Sequence, residues 1–182
     1  TYAATTITDI VGGARISRTT FYKRFPDKRA CFDAALDACI EEVRATAAAS
    51  HSPTDPPADA VRKAAAAVID LMAEKPALAQ LLAGDAHSVE PGVLRRYRRL
   101  LIPAVESLWA ATGEVPQPHI DPRLAFGRGQ VLIFDQIAAG RADRLRELRP
   151  ELVYLAVAPF AGHEEALRQS ELATEGADDG HR

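Results

Sequence analysis

The sequence has few aromatic residues, only two cysteines and no long apolar run. Aromatic residues make up 6% of its 182 positions. Cys31 and Cys39 fall on what reads as one helix, about 12 Å apart along its axis, which is too far for a disulfide. No run approaches the ~18 apolar residues that span a bilayer, and the N-terminal residues show no signal-peptide pattern. We therefore expect a soluble, cytoplasmic protein with reduced cysteines and no membrane partner.

Strand patterns are also lacking, since no alternation of polar and apolar residues persists over five positions or more. Runs rich in alanine and leucine, such as AVRKAAAAVIDLM, favour helix instead. Twelve prolines separate these runs from one another. The sequence therefore predicts an all-α fold.

Residues 6–28, TITDIVGGARISRTTFYKRFPDK, have the pattern of two short helices around a tight turn. Thr6 and Asp9 form a helix-start signal in which the hydroxyl and the carboxylate each bind the other residue's amide. A second cap at Ser17 precedes a helix with an aromatic stripe beginning at Phe21 and a separate stripe of hydroxyls and cations. This is what a helix-turn-helix needs to enter a DNA major groove; the alternative is two ordinary core helices at a domain edge.

The charge is distributed unevenly along the chain. A net charge of −3 argues by itself against a nucleic-acid-binding protein. However, residues 1–32 carry six cations and two anions, a net of +4, whereas the other 150 residues carry 16 cations and 23 anions, a net of −7. A basic head on an acidic body is expected when only one end meets phosphate.

Helix signals divide the chain after the head. Asp27 is predicted to cap a helix to about residue 49, and a proline-rich linker follows at 51–57. Further helices are predicted at 58–74, 76–83, 92–112, 122–140 and 150–170. We therefore predict three parts: a helix-turn-helix head at 1–32 whose first helix would precede Thr1, a helical body at 33–170, and a polar, frayed tail at 171–182.

The head resembles the DNA-binding end of the TetR (tetracycline-repressor) family of transcriptional regulators. In that family a Thr-capped helix leads to a turn, a Ser, a recognition helix with an aromatic–Tyr pair, a Phe, and a Lys that opens the next helix. The corresponding residues here are Thr6, Ile10, Ser17, Phe21–Tyr22, Phe25 and Lys28. The resemblance implies that 33–170 is a ligand-binding and dimerisation domain.

The resemblance also implies roles for individual side chains. Thr6 and Tyr22 are expected to bond DNA phosphates, and Lys28 to add a cation at a helix start. The donors on the second helix are expected to read base edges, with Arg favouring guanine and Thr the thymine methyl group. The predicted DNA-binding set is Thr6, Ser17, Arg18, Thr19, Thr20, Tyr22, Lys23 and Lys28.

Two positions depart from the family pattern. Arg15 stands in the inter-helix turn, where Gly often supplies a left-handed backbone that Arg would adopt at a cost of ~1 kcal/mol or more. Thr19 stands where Gly is common early in the recognition helix, so the base preference does not transfer from the family. Gly12 and Gly13 should weaken the first helix by roughly 0.5–1 kcal/mol each. We therefore expect a head that is mobile without DNA.

The body offers candidates for binding a largely apolar effector. Gln130 falls on one helical face with Phe126 and Ile133, and a buried amide there needs an internal hydrogen bond, a ligand or a second subunit as its partner. The aromatic and Met candidates are as much expected to belong to the ordinary core as to line a pocket. The arginines at 95–99 are expected to form a solvated face. The predicted ligand-binding set is Met72, Tyr97, Trp109, Phe126 and Gln130.

Enzymatic motifs are incomplete in this chain. His163-Glu164 begins a zinc-protease helix, but position 167 is Leu rather than His. Gly127-Arg-Gly129 begins a dinucleotide fingerprint, but position 132 is also Leu. No metal-ligand cluster has the required spacing. We therefore predict no catalytic residue, no metal and no cofactor.

A homodimer is expected because half-sites about 34 Å apart on DNA require two heads. The predicted interface uses the last two long helices: Val131, Phe134 and Ala138 on one, and Leu152, Leu155, Ala156, Pro159 and Phe160 on the other. We predict a cytoplasmic transcriptional repressor that a small molecule releases from a double-stranded DNA operator. The alternative is a small-molecule-binding or interaction protein on the same scaffold without regulated DNA binding.

Overall fold

The structure is a computed structural model that describes residues 2–85, 102–103, 106–107 and 120–178. Across these ranges every regular element is helical and no strand occurs, which confirms the predicted all-α class. The predicted helix at 92–112 lies mostly outside the described residues, as do Tyr97, Trp109 and the arginines at 95–99.

The head contains two short helices, α1 (Ile7–Gly13) and α2 (Arg18–Arg24). The long helix α3 (Lys28–Ala49) leads from the head into the body. Its start is set locally, because the Asp27 carboxylate accepts a hydrogen bond from the Ala30 amide at 2.8 Å. The predicted cap and end of this helix are both confirmed.

Six further elements build the described part of the body. They are α4 (Pro57–Glu74), α5 (Pro76–Ala79), a π-helix (Gln80–Asp85), α6 (Pro122–Ala138), a 3₁₀-helix (Ala142–Leu148) and α7 (Arg149–Asp178). α4 and α5 each begin with proline, which suits a first helical position because no intrahelical N–H bond is lost there.

Three predicted boundaries differ from the structure. The segment predicted as one helix at 76–83 is a single α-turn followed by a π-helix, so Gly84 does not break it. The 3₁₀-helix after Gly140 was not predicted, although the stop at Gly140 is confirmed by its φ of 70°. The segment from Glu171, predicted to be frayed, is helical as far as Asp178, and Ala173 is buried.

The last helix is interrupted at Gly162, whose φ of 80° lies in the left-handed region. The two halves of α7 therefore diverge at a residue without a Cβ. Pro159 lies just before it inside the helix.

Apolar packing ties the described body together through α4. One cluster joins Val43 of α3, Met72 of α4 and Leu145 of the 3₁₀-helix, among others. A second cluster joins Val61 of α4 to Val157 of α7. Since α4 contributes to both clusters, it positions α3 against α6 and α7.

Polar contacts between α4 and α7 are buried as well. Gln169 has no exposed surface; its Oε1 accepts from Arg62 Nε at 2.7 Å, and its Nε2 donates to Asp59 at 2.6 Å and Glu165 at 2.9 Å. Because each of these groups has a partner, the network holds the second half of α7 onto α4. Arg149, at the start of α7, pairs with Asp70 of α4.

Candidate nucleic-acid interface and internal cavity

The start of α1 is closed by the predicted reciprocal cap. Thr6 Oγ1 accepts a hydrogen bond from the Asp9 amide at 3.2 Å, while the Thr6 amide donates to Asp9 Oδ2 at 2.8 Å. The Thr6 hydroxyl also donates to Asp9 Oδ2 at 2.7 Å. These bonds stabilise the carboxylate and lower the pKa of Asp9. Both donors of Thr6 are therefore used within the cap, so a phosphate at this position would compete with Asp9.

The turn between α1 and α2 has the strain that the sequence predicts. Arg15 has a φ of 54° and is the one residue other than glycine with a positive φ in the described ranges. Around it, the Ala14 amide bonds the Ile10 carbonyl at 2.9 Å and the Ile16 amide bonds the Val11 carbonyl at 3.0 Å. These bonds satisfy the last carbonyls of α1 and fix the angle at which α2 leaves it.

α2 separates an apolar face from a polar one. Phe21 is 1% exposed and contacts the Phe25 ring at 5.6 Å and the Tyr22 ring at 5.4 Å between centroids. Ser17 accepts a hydrogen bond from the Thr20 amide at 3.0 Å, as predicted for a cap. The side chains on the other face are exposed to solvent: Arg18, Thr19, Thr20, Tyr22, Lys23 and Arg24. The helix therefore presents hydroxyls and cations outward, as a groove-reading helix must.

Arg18 crosses from α2 to α1. Its Nη2 donates a hydrogen bond to Thr8 Oγ1 at 2.6 Å, and both residues are exposed. The contact fixes the direction of the guanidinium and leaves its other donors available. Sequence reasoning missed Thr8, because a partner ten residues away follows from the angle between the two helices rather than from a local pattern.

Lys28 faces the chain's own N-terminal segment. Its Nζ donates to the Tyr2 and Thr5 carbonyls at 2.9 Å each and lies 4.2 Å from the centre of the Tyr2 ring. The Tyr2 ring in turn packs on Phe32 with centroids 4.7 Å apart. Two of the three ammonium donors are thus used to hold residues 2–5 against α3. Sequence reasoning missed the role of Tyr2.

A cavity of about 420 Å³, partly open to solvent, lies between α3, α4, α6 and α7. Its walls are mainly aliphatic, with Val68, Ile69 and Ile133 among them. Three members of the predicted ligand-binding set line it, namely Met72, Phe126 and Gln130. The volume falls within the range of small-molecule sites in proteins.

Gln130 is a buried polar residue in the mainly apolar wall. It is 5% exposed, and its Oε1 has no hydrogen-bond partner within the described part of the chain. An internal bond to this oxygen, one of the three alternatives that the sequence left open, is therefore not found there. The cavity is where a partner for it could enter.

The other polar residues of the wall, at the end of α3, already have partners. Arg44 pairs with Glu41 at 2.6 Å, which lowers the pKa of the Glu41 carboxyl. His51 Nδ1 lies 2.9 Å from the Ala47 carbonyl oxygen. A carbonyl only accepts, so Nδ1 donates, and Nε2 is an acceptor when the ring carries a single proton. Sequence reasoning missed both Arg44 and His51.

The predicted dimer face is wrong for part of α7. Leu152 and Phe160 are 9% and 7% exposed, and Pro159 is fully buried; all three line the cavity of their own protomer. They therefore offer no area to a second copy. The α6 part of the predicted face does point outward, with Val131 47% and Phe134 39% exposed.

The described residues contain no cluster of three or more His, Cys, Asp or Glu side chains suited to a metal. Likewise, none of the helices in the described ranges has the length and apolar character needed to cross a bilayer.

Residues 2–35 match the family model described as bacterial regulatory proteins, tetR family. Neither curated proteins nor solved structures give a match to the chain. The matched segment contains α1, α2 and the first turns of α3, and with them every residue of the predicted DNA-binding set. Residues 2–35 are thus similar to the DNA-binding domain of tetR family regulators.

Proposed function

We propose that this regulator is a ligand-responsive repressor, released from its operator when a small molecule occupies the cavity. The observation that carries the proposal is that α3 extends from the head to the cavity wall. Its first turns, with Lys28 and Phe32, hold the head, whereas Ile40, Arg44 and Ala47 belong to the cavity wall. The helix is 22 residues long, about 33 Å, and joins the two without a loop.

An effector would act by favouring one position of α3 over another. A molecule that presses on the wall near Ile40 and Ala47 would tilt the helix, and the head at the other end would move with it. The ligand must bind the released state better by several kcal/mol, since moving an equilibrium from 1:99 to 99:1 takes about 5.5 kcal/mol.

On the DNA side, we propose that the exposed face of α2 enters the major groove. Arg18, Thr19, Thr20 and Lys23 would meet base edges, and Tyr22, 53% exposed, would meet a phosphate. The head's net charge of +4 supports this orientation. Because bacterial DNA lies in the cytoplasm, the proposal also assigns the protein to that compartment.

We further propose a homodimer in which the outward stripe of α6 meets its copy. Leu124, Val131 and Phe134 recur along this helix and are 69%, 47% and 39% exposed. Two heads on one dimer would reach adjacent half-sites of an operator. Sedimentation at micromolar concentration should show a dimer, and Val131→Lys should shift it toward monomer.

The decisive experiment is a mobility shift with DNA from upstream of the protein's own gene, over a range of salt concentrations. We expect binding that weakens steeply with salt, because Lys and Arg displace counterions from phosphate. Native mass spectrometry of the purified protein should also detect a small molecule that leaves when operator DNA is added.

A matched pair of variants links the cavity to the response. Ala125 is buried and lines the cavity, so Ala125→Phe should fill part of it and abolish release by the effector while operator binding persists. Ala139→Phe makes the same change at the exposed end of α6, outside the cavity wall, and should respond like the parent. Ligand binding without any DNA binding at low salt would instead support the alternative, a small-molecule-binding protein on this scaffold.

A further inference from the structure

The Gln130 oxygen, which has no partner among the described residues, points to the chemistry of the effector. We propose that the cavity takes a neutral, mainly aliphatic molecule whose single hydroxyl or N–H group donates a hydrogen bond to Gln130 Oε1. This inference rests on the proposed function of the cavity as the effector site, and narrows the class of molecule that fits it.

Because the Gln130 oxygen is buried, a ligand in the cavity gains affinity by donating a hydrogen bond to it. Gln130 is 5% exposed, and no donor reaches its Oε1 from the described residues. A buried acceptor without a partner costs roughly 1–3 kcal/mol, so native proteins satisfy such groups almost always. The oxygen is satisfied when a donor arrives through the cavity that Gln130 lines.

The walls argue for a neutral molecule. Among the described residues that line the cavity there is no Asp, Glu or Lys, and Arg44 already pairs with Glu41. A ligand carboxylate would lose its hydration without gaining an uncommitted cation, and a ligand ammonium would find no carboxylate. Either charged group would therefore bind less well than a hydroxyl.

The second polar group of the wall has the same preference. The Nδ1 of His51 donates to the Ala47 carbonyl, so its Nε2 is an acceptor when the ring carries a single proton. Gln130 and His51 thus both favour a donor on the ligand. A rotation of the Gln130 amide would exchange its oxygen and nitrogen and favour a ligand that accepts instead. The test therefore compares the affinity of a ligand that donates a hydrogen bond with that of a ligand that only accepts one.

Three probes of similar length test the inference on the full chain by calorimetry. Decanol carries a hydroxyl donor, methyl octyl ketone carries only an acceptor, and decanoate is an anion. Decanol should bind about tenfold more tightly than the ketone, the affinity equivalent of one hydrogen bond to a buried acceptor. Decanoate should bind at least as weakly as the ketone.

Gln130→Met is the matched variant, because methionine nearly preserves the side-chain length and removes the amide. The tenfold preference for decanol should disappear in it, while the ketone binds as well as before or better. If the variant does not fold, the ratio of decanol to ketone in the parent protein still decides the question.

Equal affinity for decanol and ketone in the parent would overturn the inference, and so would a preference that survives in Gln130→Met. Failure of all three probes to bind would overturn it as well. These outcomes are separable from the proposed function, which the operator mobility shift tests. Release of the operator by decanol and ketone alike would support a ligand-responsive repressor and refute the role of Gln130.

Discussion

Arg15→Gly should stabilise the head, because Arg15 holds a backbone conformation that favours glycine. Its φ of 54° costs a residue with a Cβ roughly 1–2 kcal/mol relative to the right-handed region. Glycine avoids that cost but loses about 0.4–1 kcal/mol through the greater entropy of the unfolded chain. The net expectation is a gain of about 1 kcal/mol.

Arg15→Ala is the matched control for this change. Alanine removes the same exposed positive charge as glycine but keeps the Cβ, so the left-handed strain remains. Its stability should therefore stay close to that of the parent. A difference between the two variants isolates the backbone from the charge.

Hydrogen exchange measures the effect where it arises. The Ile16 amide, bonded to the Val11 carbonyl across the turn, should exchange about fivefold more slowly in Arg15→Gly, the equivalent of 1 kcal/mol in local opening. Equal exchange in Arg15→Gly and Arg15→Ala would refute the assignment of strain to this residue. Slower exchange in both would attribute the effect to charge.

Three further predictions concern contacts of the head and body. Thr6→Ala should destabilise the head by about 1 kcal/mol in denaturant titrations through loss of the cap. Because folding lowers the pKa of Asp9, the parent's cap is fully effective above the ordinary value of 3.8 and is lost as pH falls through the lower folded pKa. Thr6→Ala should lose less stability in acid, because the hydroxyl is gone while the amide of residue 6 still donates to Asp9. Arg18→Ala should relax base preference at one operator position. Thr8→Ala, which removes the partner of Arg18, should leave the base preference intact and weaken binding a few-fold. If Arg18→Ala and the parent discriminate equally between matched and mismatched operators, Arg18 does not read a base. Gln169→Leu should lower stability by about 2–4 kcal/mol, since three charged partners lose a bond in a buried site; a midpoint like the parent's would show that the network is dispensable.

The predictable features of this chain are those decided within a few residues. The caps at Thr6, Ser17 and Asp27 all bond an amide three positions on, so the sequence contains both partners side by side. The strain at Arg15 follows in the same way from a turn of fixed length.

Features that depend on distant residues were not predictable. Lys28 meets Tyr2 across 26 positions, and Arg62 meets Gln169 across 107. Neither pair shares a local pattern, because the contact exists only after the helices have packed. The pattern of polar and apolar residues also does not distinguish a surface buried between subunits from one buried within a subunit. It predicted that Leu152 faces a second subunit, whereas Leu152 lines the cavity of its own protomer.

The division of the chain at residue 32 has a similar origin. Composition changes there from basic to acidic, yet the position lies inside α3, which continues to Ala49. The charge of a segment indicates whether its surface faces DNA, whereas the length of the helix determines which parts of the chain move together. The two therefore need not change at the same residue.

Five of the predicted DNA contacts already hold partners inside the chain. Thr6 bonds Asp9, Arg18 bonds Thr8, Ser17 and Thr20 bond each other, and the Lys28 ammonium bonds two carbonyls. For Thr6, contact with phosphate would exchange these bonds rather than add new ones, so it should contribute less than an uncommitted donor does, whereas Arg18 and Lys28 keep further donors. In return, the same bonds restrict the side chains before DNA arrives and reduce the entropy lost on binding. Affinity should therefore depend more on the uncommitted donors of α2, such as Lys23, and on the angle at which α3 presents them.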